Sequence, residues 1–177
     1  KAFCSGQDLS EIKNFKSKNV NQWLKEFKQV YTAIRSAEIP VIGAINGVAA
    51  GSGFQLALLT DIRVSHPQAR FGQVEINSGV VSIIGPWIIE KVLGMSKTIQ
   101  LCLTGELIDG KEAKKNGIVN YLIQKEKVMS LSIKIAKQLS EKPEKAMKLT
   151  KKRIWEIFKE DMNEVFKKAK KYHKQSF

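Results

Sequence analysis

The chain has few of the residues that build disulfide frameworks and metal centres. It contains two cysteines, Cys4 and Cys102, and two histidines, His66 and His173. The cysteines lie far apart in no ligand-like spacing, so a pair of free thiols is expected rather than a disulfide. That usage points to the cytoplasm or an organelle matrix. Neither histidine has a cysteine or carboxylate cluster beside it, which argues against zinc and leaves no metal expected. No apolar run has membrane-spanning length, and the visible start carries no signal-peptide pattern, so no membrane partner is expected.

What the chain has in excess is positive charge. Lys and Arg number 30 against 17 Asp and Glu, a formal net charge of +13. From Glu141 to Phe177 there are 12 basic and 6 acidic residues. Such a balance fits an anionic partner, or simply the solvated face of lysine-rich helices. Nucleic acid is ranked low as that partner. No aromatic-basic stacking motif is present, and the basic residues are interleaved with apolar ones. At 177 residues, 43% hydrophobic and 27% charged, the chain suits one globular unit with a sizeable core.

The organising stretch runs from Ile42 to Glu75. Val41 to Ile45 reads as a buried strand, and Asn46-Gly47 as a turn. Five small residues, Ala49 to Gly53, then lead into the apolar run Phe54 to Leu59, which reads as a short buried helix. A strand, a small-residue turn and a helix start leave backbone N–H groups unpaired and pointing one way. Such a place holds developing negative charge. Ile62-Arg63-Val64 reads as a second strand, and Phe71-Gly72-Gln73-Val74-Glu75 returns a carboxylate to the neighbourhood. On spacing alone, each of these features has a plain structural reading. Gly6 is a turn glycine, and Gly51-Ser52-Gly53 is equally a tight helix–strand packing. Gln55 is a half-buried polar side chain, and Glu75 an ion-paired carboxylate.

Four ordered segments break that tie. KAFCSGQDLSE, VIGAINGVAAGSGFQLALLTDIRV, ARFGQVEINSGV and LTGELIDGKEAKKNGIVNYLI together resemble the enoyl-CoA hydratase/isomerase (crotonase) family. The resemblance implies an α/β crotonase-like fold of repeated ββα units with a C-terminal helical subdomain. It divides the chain into a core over 1–124, N-terminally incomplete, and a trimerisation subdomain over 125–177. It implies an acyl-coenzyme A thioester as substrate, no separate cofactor, and a homotrimer or hexamer. The backbone N–H groups of Gln7 and Ser52 become the oxyanion hole, and Gly6, Gly51 and Gly53 the substrate-binding turns. Glu75 becomes the base. Gln55 stands where typical hydratases carry glutamate; it is close in shape but exchanges no proton at neutral pH. The apolar neighbours of Glu75 should raise its pKa and suit it to general-base work.

With one carboxylate, double-bond migration from 3-enoyl to 2-enoyl is ranked first. Hydration of a 2-enoyl-CoA, with Gln55 placing the water, is the alternative. An RNA-binding or catalytically silent homologue is a further one. Trp87, Ile88 and Ile89 stand where many hydratases are glycine-rich, which also leans towards isomerases.

The remaining elements follow from periodicity. Asp8 to Lys18 reads as a short helix capped by Asp8. Val20 to Ala37 reads as an amphipathic helix capped by Asn19, with Trp23, Phe27, Val30, Tyr31 and Ile34 assigned to the core. Ile83 to Leu93 and Ser96 to Leu103 read as helices on either side of Gly94. A helix over Gly110 to Asn116 and a strand over Ile118 to Ile123 come next. Three further helices are expected: one striped by Val128, Leu131, Ile135 and Leu139, one opening at Pro143, and one over Asp161 to Tyr172.

Overall fold

The computed structural model describes residues 1–12 and 15–176. The chain enters alongside its own centre: Phe3 and Cys4 N–H groups both donate to the Val48 carbonyl, and Cys4 bridges Ala49 in parallel. Asp8 then caps the short helix α1 (Leu9–Ile12), its Oδ1 accepting from the Ser10 N–H at 2.8 Å. The helix was expected to reach Lys18; residues 13 and 14 lie outside the described residues, and Phe15 and Lys16 beyond them are not helical.

A 3-10 turn, Ser17–Asn19, leads into α2 (Val20–Arg35). Asn19 does not cap α2 as expected. Its backbone is already helical, and its Oδ1 accepts from the Lys16 N–H behind it. Tyr31 is fully buried, and Trp23, Phe27 and Ile34 pack against the core. Val30, assigned to the same stripe, is 47% exposed. It lies close to Trp23 around the helix but about 100° from Tyr31, at the edge of the face that buries Val20, Leu24 and Tyr31.

α2 stops at Arg35, two residues short of the expected Ala37 and five before Pro40, and the chain then turns into β1 (Ile42–Ile45). β2 (Ala49–Ala50), α3 (Ser52–Leu59), β3 (Ile62–Ser65) and β4 (Arg70–Gly72) follow. β1 and β3 run parallel in register Ile42 to Ile62, and β6 (Tyr121–Leu122) extends that sheet beyond β3. The strand expected over Ile118–Ile123 is shorter because Ile118 and Val119 give their N–H groups to the Ala113 carbonyl instead. The second sheet pairs β2 with β4 in parallel and β4 with β5 (Ile108–Asp109) in antiparallel.

α4 (Ile84–Thr104) is one element interrupted at Gly94, whose φ of 72° and ψ of 170° break the helical path where a break was expected. α5 (Gly110–Lys115) is capped by Asp109, whose Oδ1 accepts from the Glu112 N–H at 2.9 Å. α6 (Val128–Ser140) buries Val128 and Ile135 against Val64 of β3, with Leu131 and Leu139 beside them. The last two expected helices are in fact one, α7 (Glu144–Ser176), 33 residues long. No glycine or proline falls within it, so nothing breaks the backbone hydrogen-bond ladder.

α7 lies along α2 and α4. Phe166 meets Tyr31 ring to ring at 5.9 Å, and Phe158 meets Trp87 at 4.5 Å. A buried ion pair anchors its first half. Lys151 Nζ lies 2.6 Å from Asp61 Oδ2, and Asp61 also accepts from Arg35 and from the Val41 N–H. Helices α2 and α7 are thereby tied to the ends of β1 and β3. Among the described residues, no helix is long and apolar enough to cross a membrane, and no group of three His, Cys, Asp or Glu could hold a metal ion.

Candidate active site

The site forms where the incoming chain, the start of α3 and the turn after β4 meet. Gly51 makes the turn into α3 with φ 55° and ψ −128°, a conformation that L side chains rarely adopt. Gly53, one residue into the helix, has no room for a side chain at all: a Cβ there would overlap the Cys4 carbonyl. The approach is held by the Ala50 N–H donating to that carbonyl at 3.0 Å. Gly6 therefore arrives beside Ser52, with its Cβ position 3.6 Å from the Ser52 nitrogen. Ser52 opens α3, so its N–H has no acceptor within the helix. Among the described residues, neither the Gln7 nor the Ser52 N–H has a backbone acceptor.

Gln7 is fixed through its side chain. Its Oε1 accepts from Trp23 Nε1 at 3.2 Å, and its Nε2 donates to Glu11 at 2.9 Å. Glu75 opens a 3-10 turn, Glu75–Ser78, and its carboxyl reaches back to the α3 start. The Gly51 Cβ position lies 3.3 Å from Glu75 Oε1. The same Oε1 accepts two N–H groups, from Gln73 Nε2 at 2.7 Å and Gln55 Nε2 at 3.1 Å. Oε2 is buried and has no hydrogen-bond partner among the described residues. Burial raises the Glu75 carboxyl from 4.5 to about 7, against the pull of the two amide hydrogen bonds towards the ionised form. The direction and its cause follow the apolar neighbours noted in the sequence.

The structure brings Gly6, Gln7, Gly51, Ser52, Gln55 and Glu75 to the wall of one cavity of about 120 Å³. Gly53 lies behind that wall, pressed against Cys4. Gln55 is 5% exposed, and its carbonyl accepts the Tyr31 hydroxyl at 2.6 Å. The remaining lining is mostly apolar, from Trp23, Leu24, Phe27, Val81, Ile83 and Ile84. Trp23 and Phe27, assigned to the core by periodicity, thus serve both core and cleft. A helical stripe has two flanks, and spacing alone does not say which one meets a cavity.

Three further participants went unread in the sequence. Gln73 is fully buried and bonds both Glu75 and Ser82. Its signal was a lone amide two residues before the carboxylate, between Gly72 at the end of β4 and Val74. Tyr31 carried a polar tip on a core position, which calls for a buried partner. His173, from the far end of α7, reaches the cavity beside Trp23, ring to ring at 4.8 Å. Burial pulls its pKa down to about 4, so it is neutral.

Comparison with known proteins now decides the family. The family model for enoyl-CoA hydratase/isomerase matches residues 1–177. The chain belongs to the enoyl-CoA hydratase/isomerase family. Its fold is crotonase-like: an enoyl-CoA hydratase structure from Mycobacterium smegmatis superposes with a TM-score of 0.84 at 25% identity. That match covers 96% of this chain and 66% of the other. Among curated relatives, the short-chain-enoyl-CoA hydratase of Clostridium acetobutylicum is 32% identical over 87% of this chain and 59% of its own length. The methylglutaconyl-CoA hydratase of human mitochondria is 33% identical over 69% of this chain and 36% of its own. The chain therefore spans about a third to three fifths of the length of these two relatives.

Proposed function

We propose that this chain carries the active site of an acyl-CoA-processing enzyme that works through a thioester enolate, and that its reaction is migration of a double bond from 3-enoyl to 2-enoyl. The observation that carries this reading is Glu75 Oε2: a buried carboxylate oxygen with no hydrogen-bond partner among the described residues, on a side chain that lines the same cavity as Gln7 and Ser52. The Gln7 and Ser52 N–H groups receive the thioester oxygen. Glu75 takes a proton from C2, and the electron pair spreads over the carbonyl oxygen and the neighbouring double bond. Glu75 then returns the proton at C4, leaving the double bond between C2 and C3. Each backbone donor aimed at the enolate oxygen contributes a factor of about 100 to 1,000 in rate. A carboxyl near 7 accepts a proton and gives it back with little driving force wasted either way.

Hydration of a 2-enoyl-CoA is the second reading, favoured by the names of the relatives. It asks for a group besides Glu75 to hold the water. The Gln55 carbonyl is engaged by Tyr31 and its amide by Glu75, which ranks isomerisation ahead. Exposed apolar side chains on α4 and α7, such as Met95, Leu103 and Ile157, fit assembly into a trimer or hexamer. Light scattering of the purified protein tests that assembly.

The chemical test compares both reactions on short enoyl-CoA substrates, alongside deuterium exchange at C2. The wild type should exchange deuterium, and Glu75→Gln should not. Exchange retained in Glu75→Gln removes Glu75 from the reaction. A wild type inactive in both reactions removes the enzymatic reading and leaves a silent homologue.

A further inference from the structure

The reading of Glu75 as base leaves open which of its two oxygens meets the substrate. The chain of hydrogen bonds behind it answers that. Tyr31 projects from α2 into the core, and its hydroxyl is 2.6 Å from Gln55 Oε1. A phenol hydroxyl donates, and burial together with the nearby Glu75 charge raises the Tyr31 pKa far from deprotonation. Gln55 must therefore show its oxygen to Tyr31 and its NH2 to Glu75. That NH2 lies 3.1 Å from Glu75 Oε1, where Gln73 Nε2 also donates at 2.7 Å. Two N–H groups occupy one oxygen, and the other has no hydrogen-bond partner among the described residues, on a side chain that lines the cavity.

We propose that Tyr31 is a positioning residue: by holding the Gln55 carbonyl it turns the Gln55 N–H onto Glu75 Oε1 and reserves Oε2 as the oxygen that exchanges protons with the substrate. This rests on the assignment of Glu75 as base. Without the Tyr31 hydroxyl, the Gln55 amide is free to rotate and present its oxygen to Glu75. An oxygen facing a carboxylate repels it, and facing a carboxylic acid accepts its proton. Either way the protonated form gains.

The test follows Glu75 directly by carbon NMR titration of glutamate-labelled protein, with Glu75→Gln identifying the resonance. In Tyr31→Phe the Glu75 midpoint should rise by about one pH unit, the scale of one hydrogen bond to a charged group. The acid limb of kcat/KM should move with it, so that the rate falls about tenfold at pH 6 and changes little at pH 9. Gln55→Met, which removes the amide altogether, should raise the midpoint similarly. The double variant should add nothing further, because both changes break one linkage. A purely structural role for Tyr31 would lower stability without moving the titration. An unmoved midpoint in folded Tyr31→Phe, or additive shifts in the double variant, overturns the proposal. Should Tyr31→Phe not fold, an unmoved midpoint in Gln55→Met overturns it. A wild type that turns over no enoyl-CoA while the midpoint still moves removes the function reading and leaves the positioning intact.

Discussion

Replacing Glu75 by Gln should remove activity and, at alkaline pH, make the protein more stable. The sign follows from where the protons go. In the folded state the carboxyl titrates at about 7 against an ordinary 4.5, chiefly because it is buried. Below 4.5 both folded and unfolded chains hold the proton, and the residue is neutral to stability. Between 4.5 and 7 the unfolded chain releases its proton while the folded one keeps it, so stability falls as pH rises. Above 7 the full penalty stands. At about 1.4 kcal/mol per unit, the rise from 4.5 to about 7 makes it about 3 kcal/mol. Gln at this position keeps an oxygen to accept from Gln73 and Gln55 while carrying no charge. Urea denaturation from pH 4 to pH 9 should show Glu75→Gln gaining up to about 3 kcal/mol over wild type above pH 7, with the gap closing towards pH 4.5. In thermal melts that gap is about 6–12 °C for a chain of this size. A variant no more stable at pH 8.5 than wild type, or one whose advantage does not change with pH, refutes the claim that Glu75 is held in a charge-averse site.

Gln55→Glu should restore a second carboxylate within reach of Glu75 and raise hydration relative to isomerisation, read as the product ratio on a short enoyl-CoA. An unchanged ratio would separate Gln55 from reaction choice. Phe27→Ala enlarges the apolar end of the cavity and should move the preference towards longer acyl chains, measured as kcat/KM across a chain-length series; it should also lower stability by about 3 kcal/mol. Lys151→Met leaves Asp61 without its shortest partner while Arg35 and the Val41 N–H remain, and should lower stability by about 2–4 kcal/mol in urea denaturation.

The half of the fold that carries the candidate site was legible because its pattern is local. A proline followed by an apolar run, then a small-residue turn, then a second apolar run admits few folds, and α3 begins at Ser52 within that turn. The rise in the Glu75 pKa was readable for the same reason, since Val74 and Val80 are its sequence neighbours. The partners of Glu75 were not. Tyr31 lies 24 residues before Gln55, and nothing in a helical stripe tells which polar tip points at which buried amide. The C-terminal half was misread in the opposite sense. A new helix was expected at Asp161, but without a breaking residue the ladder continues. The reach of His173 into the cavity depends on that unbroken length, since each residue advances the helix by about 1.5 Å.

Helix α2 explains why the site's residues are aromatic where aliphatic ones would fill the space. Trp23 and Tyr31 sit two turns apart on one stripe, backed by His173 and Phe166 of α7. Their rings supply the core packing, and Leu or Phe could do much the same. Their polar tips do something else: Trp23 Nε1 holds the Gln7 side chain, whose backbone forms one half of the proposed anion pocket, and the Tyr31 hydroxyl holds Gln55. One rigid helix thus sets both the loop that would bind the thioester oxygen and the amide that orients the acid. A site built from two loops and a turn needs such a common support, because each of those elements alone has too few buried contacts to fix its geometry to a fraction of an ångström.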